Sequence, residues 1–520
     1  MSGLPQEDAD SALWARLANH PLFADFSAEQ RTALLRAAAE PDSGLRLRRF
    51  SAGEVIGRKG EYELTLCCVL GGVVDLLDPV PHRQPILVSS VGAGEFFGEL
   101  GAMGGLPRTL DIVGREDGEL FEISRYALKF VEVNALARAR LAQRYRDRAV
   151  RATVSQMDLF AGVTPEAIDH LVPRCEIARY ELRGLPLLLQ GEAADALYIV
   201  RDGFVQVVRE QPDGGKRVLA YLRAGDFFGE MALFDNGPRT ASVLTAGKCE
   251  LIKIGREDFL ELCRRFPQVE AQARAVIARR REQEARLTPE ISELLAKSGQ
   301  LGVIQSDALL VMDLDLCVEC DNCVRACEAL HGKSRLVRNG IQLGKYLIPA
   351  ACRHCDDPKC MNSCPTGTIQ RRPEGEIYFE YEKCIGCGNC AIACPYDNIA
   401  MVDTPTFDHA QSLKAKTMKD PAFFRPYPVA AHDASEPGLW SRMLAAVGGR
   451  KPAPSQAPVP THIPASFPIK CDLCDGLPFM GCVHNCPTGA AMRIDPAELF
   501  EGTGAVREGA RVRKAWGGRD

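Results

Sequence analysis

Residues 384–395 read CIGCGNCAIACP, and the spacing of their four cysteines decides how the C-terminal third of the chain folds. Cys384, Cys387, Cys390 and Cys394 follow C-x2-C-x2-C-x3-C, and Cys317, Cys320, Cys323 and Cys327 repeat it. Cys352, Cys355, Cys360 and Cys364 widen one interval to x4, and Cys471, Cys474, Cys482 and Cys486 widen it to x7. Sixteen of the 21 cysteines thus fall into four groups of four. Three thiolates in one tight loop suit three irons of a cubane, while the fourth cysteine is expected to start a helix, point elsewhere and ligate the partner cluster. Pro365, Pro395 and Pro487 follow the last cysteine of three groups, where a first helical turn tolerates the missing N–H. Gly386 and Gly388 allow the backbone close to inorganic sulfide, and amide donors there help set the potential. Structural zinc also takes four thiolates, commonly from two separated CxxC pairs. Three cysteines per loop with a fourth after x3 favour iron and sulfide instead.

The segments ACRHCDDPKCMNSCPTGTI, EKCIGCGNCAIACPYDNI and KCDLCDGLPFMGCVHNCPTGA resemble the four-cluster ferredoxin-type electron-transfer subunits of dimethyl sulfoxide reductase, formate dehydrogenase and related complexes, over roughly residues 305–495. The resemblance implies four [4Fe-4S] clusters in which groups two and three exchange their last cysteines, as do groups one and four. The implied ligand sets are Cys352, Cys355, Cys360 with Cys394; Cys384, Cys387, Cys390 with Cys364; Cys317, Cys320, Cys323 with Cys486; and Cys471, Cys474, Cys482 with Cys327. Two features depart from the pattern. Glu328 stands where the other groups have proline, and a long segment separates Cys394 from Cys471. That segment includes KPAPSQAPVPTHIP, expected to be an extended, tolerated loop and, alternatively, a partner-docking arm.

A chain of 520 residues is expected to hold several domains. The formal charge of -5 excludes the broad basic field of a general nucleic-acid binder. No apolar run approaches a membrane span. The acidic start MSGLPQEDADSALWARLANH lacks the features of a secretory signal, so a cytoplasmic location is expected, with cysteines serving metal rather than disulfides.

The first half contains a duplication. AGEFFGELGAMGGLPRTLDIV from Ala93 and AGDFFGEMALFDNGPRTASVL from Ala224 lie about 131 positions apart. Short alternating apolar runs precede each, such as ALYIVRDGFVQVV and KRVLAYL, and predict small antiparallel sheets. The FGE-x-A-L … P-R-T-A stretch resembles the phosphate-binding cassette of cyclic-nucleotide-binding domains, as in catabolite activator protein and protein kinase A regulatory subunits. A glycine turn opening a short helix presents free N–H groups to an anion, and an arginine grips phosphate bidentately. The resemblance implies that Gly229, Glu230, Arg239 and Thr240 bind cyclic nucleotide in the second module, Glu230 at the ribose and Arg239 at the phosphate. Gly98, Glu99, Arg108 and Thr109 are the counterparts in the first. Leu110 replaces Ala241 and GAM replaces ALF in the first copy, so the second is the preferred site. Thr240 leaves the choice between cAMP and cGMP open.

The fold class expected is multidomain: two β-roll (jelly-roll-like) cyclic-nucleotide-binding domains with flanking helices, then an α+β tandem bacterial-ferredoxin-like domain. The boundaries are a polar tail (1–20), a first module with its C-terminal helix (21–156), a second module (157–268) and a helical linker (269–304), broken near Thr288 and Pro289. A four-cluster domain (305–402 and 467–497), a Pro-rich insertion (403–466) and a C-terminal tail (498–520) follow. Cys67, Cys68, Cys175, Cys249 and Cys263 read as buried hydrophobes. Arg138, Arg140, Arg144, Arg146, Arg148 and Arg151 read as a solvated helix face, since too little chain follows for a DNA-binding helix-turn-helix. No catalytic residue stands out. The function expected is an iron–sulfur electron-transfer subunit gated by cAMP or cGMP, serving a separate catalytic, flavin or molybdenum oxidoreductase subunit. The alternative is a redox or oxygen sensor whose docking cyclic nucleotide controls.

Overall fold

The computed structural model describes residues 6–40, 43–79, 84–235, 237–306, 308–372, 375–417, 464–475, 477 and 479–496. The chain divides into two units, one built on Met1–Leu295 and the other on Ala296–Gln370 and Gly375–Leu499.

In the first unit the alternating runs form antiparallel sheets, as their period of two requires. The first module has two four-stranded sheets. Strands Leu45–Phe50, Gly118–Ser124, Thr65–Gly71 and Phe96–Phe97 pair in that order in one, and Val55–Gly57, Asp111–Gly114, Val73–Asp78 and Ile86–Gly92 in the other. The second module repeats this roll with longer strands. Ala196–Glu210 and Ser242–Gly255 bend through register shifts at Val200/Asp202 and Gly203/Val205, so that one pair of strands serves both faces. Cys67, Cys68, Cys175, Cys249 and Cys263 are all buried in these cores.

Helix Gln6–Leu17 occupies the stretch read as a polar tail. Leu13, Trp14 and Leu17 share one helical face and pack with Leu22, Phe23 and Phe121. Helix Ala135–Gln156 leaves the first module and buries Leu141, Tyr145, Val150 and Val154. Tyr145 reaches the second module, where its hydroxyl lies 2.9 Å from Glu250 and accepts from Arg201 at 2.7 Å. Helices Pro267–Ala285 and Pro289–Gln300 form the linker, and the break falls at Arg286–Thr288, before the proline as expected.

In the second unit, strands Leu336–Leu343, Tyr346–Ala351, Leu309–Asp313 and Ala491–Ile494 form an antiparallel sheet, with two-stranded ribbons Ile369–Arg371/Ile377–Phe379 and Ala400–Asp403/Ser466–Ile469. Asp403 pairs with Ser466 across the last ribbon, which joins the ends of the expected insertion. That segment begins as helix Thr404–Thr417, whose Phe407 stacks on Phe467 at 4.1 Å. The proline-rich stretch and the C-terminal tail lie outside the described residues.

The short helices corrected one expectation. The fourth cysteine of a group does not start a helix. Helices Lys359–Asn362, Asn389–Ala393 and Gly481–His484 run between the third and fourth cysteines or around the third, and end before Cys364, Cys394 and Cys486. The following proline explains the stop: its ring excludes helical geometry from the residue before it, and Cys394 is extended at φ -72°, ψ 112°. Where Glu328 replaces proline, helix Asn322–His331 runs through Cys327 and on for another turn.

Candidate functional site

Two kinds of site are present, one in each unit. In the second module of the first unit, Gly229 has φ 86° and turns the chain into helix Glu230–Asp235. A Cβ at this glycine would lie 2.7 Å from Arg239 Nη1, so the close approach of the guanidinium excludes any larger residue. Arg239 Nη1 donates to the Gly229 carbonyl at 2.7 Å, and Nη2 donates to Asp195 at 2.8 Å and to the Ala196 carbonyl at 3.0 Å. Its Nε is buried without a partner. Glu230, also buried, accepts from Arg280 at 2.7 Å, and Arg280 donates to the Phe227 carbonyl at 2.7 Å. Gly229, Glu230, Arg239 and Arg280 line an open pocket together with Thr240, Ala241, Gln283 and Glu284.

The first module repeats the arrangement. Gly98 has φ 87°, and Arg108 Nη2 donates to Glu63 at 3.0 Å and to the Thr65 carbonyl at 3.4 Å, with the guanidinium beside Cys67. Glu99 pairs with Arg148 at 2.8 Å, and Arg148 donates to the Phe96 carbonyl at 3.1 Å. Thr109 follows, half-buried. Arg148 was therefore misread as one more solvated arginine. The signal was available, because Arg148 and Arg280, like Glu63 and Asp195, recur at nearly the spacing of the duplication.

In the second unit the structure brings cysteines of different groups together. One cavity is lined by Cys384, Cys387 and Cys390 with Cys364. Another is lined by Cys317, Cys320 and Cys323 with Cys486. Burial pushes the Cys355 thiol up, and its neighbours Cys352, Cys360 and Cys394 add to the shift. Burial pushes Cys482 up to about 12; Arg493 opposes this, and Cys471 and Cys327 reinforce it. Among the described residues no three His, Cys, Asp or Glu side chains gather as a single ion would require; eight of the thiols instead line the two cavities.

The loops fit a cluster at the backbone level too. The second residue after the first cysteine of every group is left-handed: Glu319 at φ 55°, His354 at 49°, Gly386 at 69° and Leu473 at 52°. Only one of the four is glycine. Such conformations are costly for other residues and persist where the surroundings over-determine them, here by curling each loop so that its cysteines face inward. Backbone N–H groups meet the sulfurs: Gly386 to Cys384 at 3.4 Å, Arg335 to Cys327 at 3.2 Å, Gly481 to Cys474 at 3.3 Å, Asn398 to Cys394 at 3.4 Å and Ala491 to Cys486 at 3.3 Å. Burial raises the Cys364 and Cys486 thiols, but hydroxyl and backbone donors from Thr366 and Ile369, and from Thr488 and Ala491, outweigh it and hold both below the ordinary range. A thiolate is the form that binds iron. The extra helical turn allowed by Glu328 carries His331 Nε2 to 3.3 Å from Cys474.

Comparison with known proteins matches these sites. Residues 47–131 and 182–266 match the cyclic nucleotide-binding domain family, residues 344–411 the 4Fe-4S dicluster domain and residues 314–330 the 4Fe-4S binding domain. Over 260 residues the chain is 25% identical to a cAMP-dependent protein kinase regulatory subunit of Blastocladiella emersonii, covering 50% of this chain and 61% of the relative. Over 122 residues it is 40% identical to the cyclic AMP receptor protein of Thermus thermophilus, covering 24% and 56%. Over 217 residues it is 28% identical to hydrogenase-4 component A of Escherichia coli, covering 39% and 90%. The chain thus spans about three fifths or less of the first two relatives. It carries tandem cyclic nucleotide-binding domains followed by a 4Fe-4S ferredoxin-type region. No helix among the described residues is long and apolar enough to cross a membrane.

Proposed function

We propose that this protein is an electron-transfer subunit that carries four [4Fe-4S] clusters, relays electrons to or from a separate oxidoreductase subunit in the cytoplasm, and is regulated by cAMP or cGMP. What supports the reading is the crossing of thiols between cysteine groups, Cys364 beside Cys384, Cys387 and Cys390, and Cys486 beside Cys317, Cys320 and Cys323, in one chain with buried Glu230 and Arg239 and their counterparts Glu99 and Arg108. Cys352, Cys355, Cys360 and Cys394 hold one cluster; Cys384, Cys387, Cys390 and Cys364 a second; Cys317, Cys320, Cys323 and Cys486 a third; and Cys471, Cys474, Cys482 and Cys327 the fourth. When bound, such clusters take up and release single electrons. The chain's own contribution is to fix the thiolates, exclude water from Cys323, Cys327, Cys474 and Cys482, which are buried, and aim N–H groups at the sulfurs. The bond chemistry belongs to the partner, and hydrogenase-4 component A as a relative favours a partner of oxidoreductase type.

In the second module Arg239 grips the cyclic phosphate with its unpartnered Nε–H and adjoining N–H groups. Glu230 Oε1 stays with Arg280, which leaves Oε2 to accept from the ribose hydroxyl. Arg280, Gln283 and Glu284 sit on helix Pro267–Ala285, so ligand at Glu230 acts directly on that helix. The chain then enters the second unit within the next helix, Pro289–Gln300. A coupling of about 1–3 kcal/mol would change partner affinity roughly 5- to 150-fold. Two measurements test the proposal: iron and acid-labile sulfide per chain after anaerobic purification, and affinity for the co-purifying oxidoreductase with and without saturating cAMP or cGMP. Zinc in place of iron would remove the first half, and equal affinities the second.

A further inference from the structure

Among the described residues, three cations of the second unit, Lys470, Arg493 and Arg353, are buried with no carboxylate paired to them. Lys470 is 3% exposed and Arg493 7%, and among the described residues neither forms an ion pair. Lys470 Nζ donates to the carbonyls of Ile377 and Cys471. Arg493 Nη1 donates to the carbonyls of Ala308 and Cys352, the latter at 3.0 Å, and its Nη2 reaches Cys471 Sγ at 3.0 Å. Taking an ammonium or guanidinium out of water is costly unless an opposite charge compensates. Elsewhere in this unit that charge is supplied: buried Arg335 pairs with Asp472 at 2.7 Å.

Lys470 and Arg493 lie against cysteines of two quartets, Lys470 against Cys471 and Arg493 against Cys471 and Cys352. Arg493 also bridges the two quartets directly, through Cys352 and Cys471. The placement is not a by-product of the motif. Lys383 precedes Cys384 as Lys470 precedes Cys471, yet Lys383 is exposed and paired with Glu380.

We infer that Lys470 and Arg493 are fixed counter-charges for the clusters of the Cys352/Cys355/Cys360/Cys394 and Cys471/Cys474/Cys482/Cys327 quartets, and hold these two at higher potential than the other two. Reduction adds negative charge to a cluster, and a positive charge fixed nearby in a weakly screening interior stabilises the reduced form. Buried Arg353, which follows Cys352 directly in the chain, adds to the same effect. The loops of these two quartets also hold acids, Asp472 paired with Arg335 and Asp357 with Lys359, as Glu319 and Asp321 of the Cys317 loop share Arg338; what sets the Cys317 and Cys384 quartets apart is that no buried, acid-free cation is seen against them among the described residues, and Cys387 is exposed. Electrons entering the subunit would rest on the bridged pair. This inference rests on the four-cluster reading above.

The test is an electron paramagnetic resonance redox titration of the anaerobically purified full chain, with iron and sulfide counted first. Lys470→Met and Arg493→Met should leave the counts unchanged and lower the reduced-to-oxidised ratio at fixed poise about tenfold, about 59 mV for a one-electron couple, in one or both bridged clusters only. Lys470→Arg should restore the ratio, and Lys383→Met should move no cluster comparably. Lys470→Gln keeps hydrogen bonding to the carbonyls without the charge and should match Lys470→Met, which covers the case where the methionine variant fails to fold. Intact clusters with unshifted potentials, an equal shift in all four, or the same shift from Lys383→Met would overturn the inference. A wild-type chain short of four clusters' iron would instead sink the reading beneath it.

Discussion

Arg239→Leu isolates the phosphate contact. The guanidinium holds Asp195 and two backbone carbonyls, and its Nε–H is buried. Asp195 keeps a second partner, Lys253 at 3.0 Å, so the substitution strands no carboxylate and the fold should survive it. What is lost is the bidentate grip on an anion. Each charge-assisted hydrogen bond is worth about 1.5–3 kcal/mol, so losing two should cost about 3 kcal/mol or more, about a 100-fold rise in Kd. Arg239→Lys keeps the charge without the planar fork and should fall between. Calorimetric titration of the intact chain with cAMP and with cGMP measures this, and iron content should not change. Unchanged affinity in Arg239→Leu, with loss in Arg108→Leu, would move the working site to the first module. Unchanged affinity in both would refute the phosphate assignment altogether.

Cys387→Ser should remove one cluster's share of iron, about a quarter of the total, and one set of paramagnetic signals; full iron with unchanged spectra would remove Cys387 from the ligands. Glu328→Pro places a proline inside helix Asn322–His331 and should cost about 3 kcal/mol, read as a lower denaturation midpoint of the second unit, while withdrawing His331 from Cys474. Equal midpoints would make the extra turn incidental. Glu250→Gln breaks the buried contact among Tyr145, Arg179 and Arg201 and should destabilise the first unit by about 3–5 kcal/mol at pH 7, followed by tryptophan fluorescence in urea. Burial raises the Glu250 carboxyl, but Arg201 and Arg179 more than offset it and hold it low. Its stabilisation is therefore complete above the ordinary carboxylate range and disappears as pH falls below it, and the variant's disadvantage should shrink with it.

The four cysteine groups and the two glycine–glutamate turns were legible because each chemistry needs particular residue types at short spacing: three thiolates in one loop, or a glycine where an arginine crowds the backbone. The duplication exposed Glu99, Arg108, Glu230 and Arg239 together. Arg148 and Arg280 escaped because a lone arginine on a charged helix has no local signature; its role depends on which glutamate the helix lies against. The helices around Cys364, Cys394 and Cys486 were placed on the wrong side of their prolines, although the local chemistry of X-Pro forbids helix at the cysteine itself.

Spacing along the chain determined which thiols share a loop and which arginine lies against the glycine turn, since those contacts close within a dozen residues. Only the tertiary structure decided that Lys470 is buried with no acid paired to it among the described residues while Lys383 is exposed and paired, although both immediately precede a cysteine. Burial and the company of other charges are set by segments far apart in the chain, and they determine how strongly a charge acts on its neighbours.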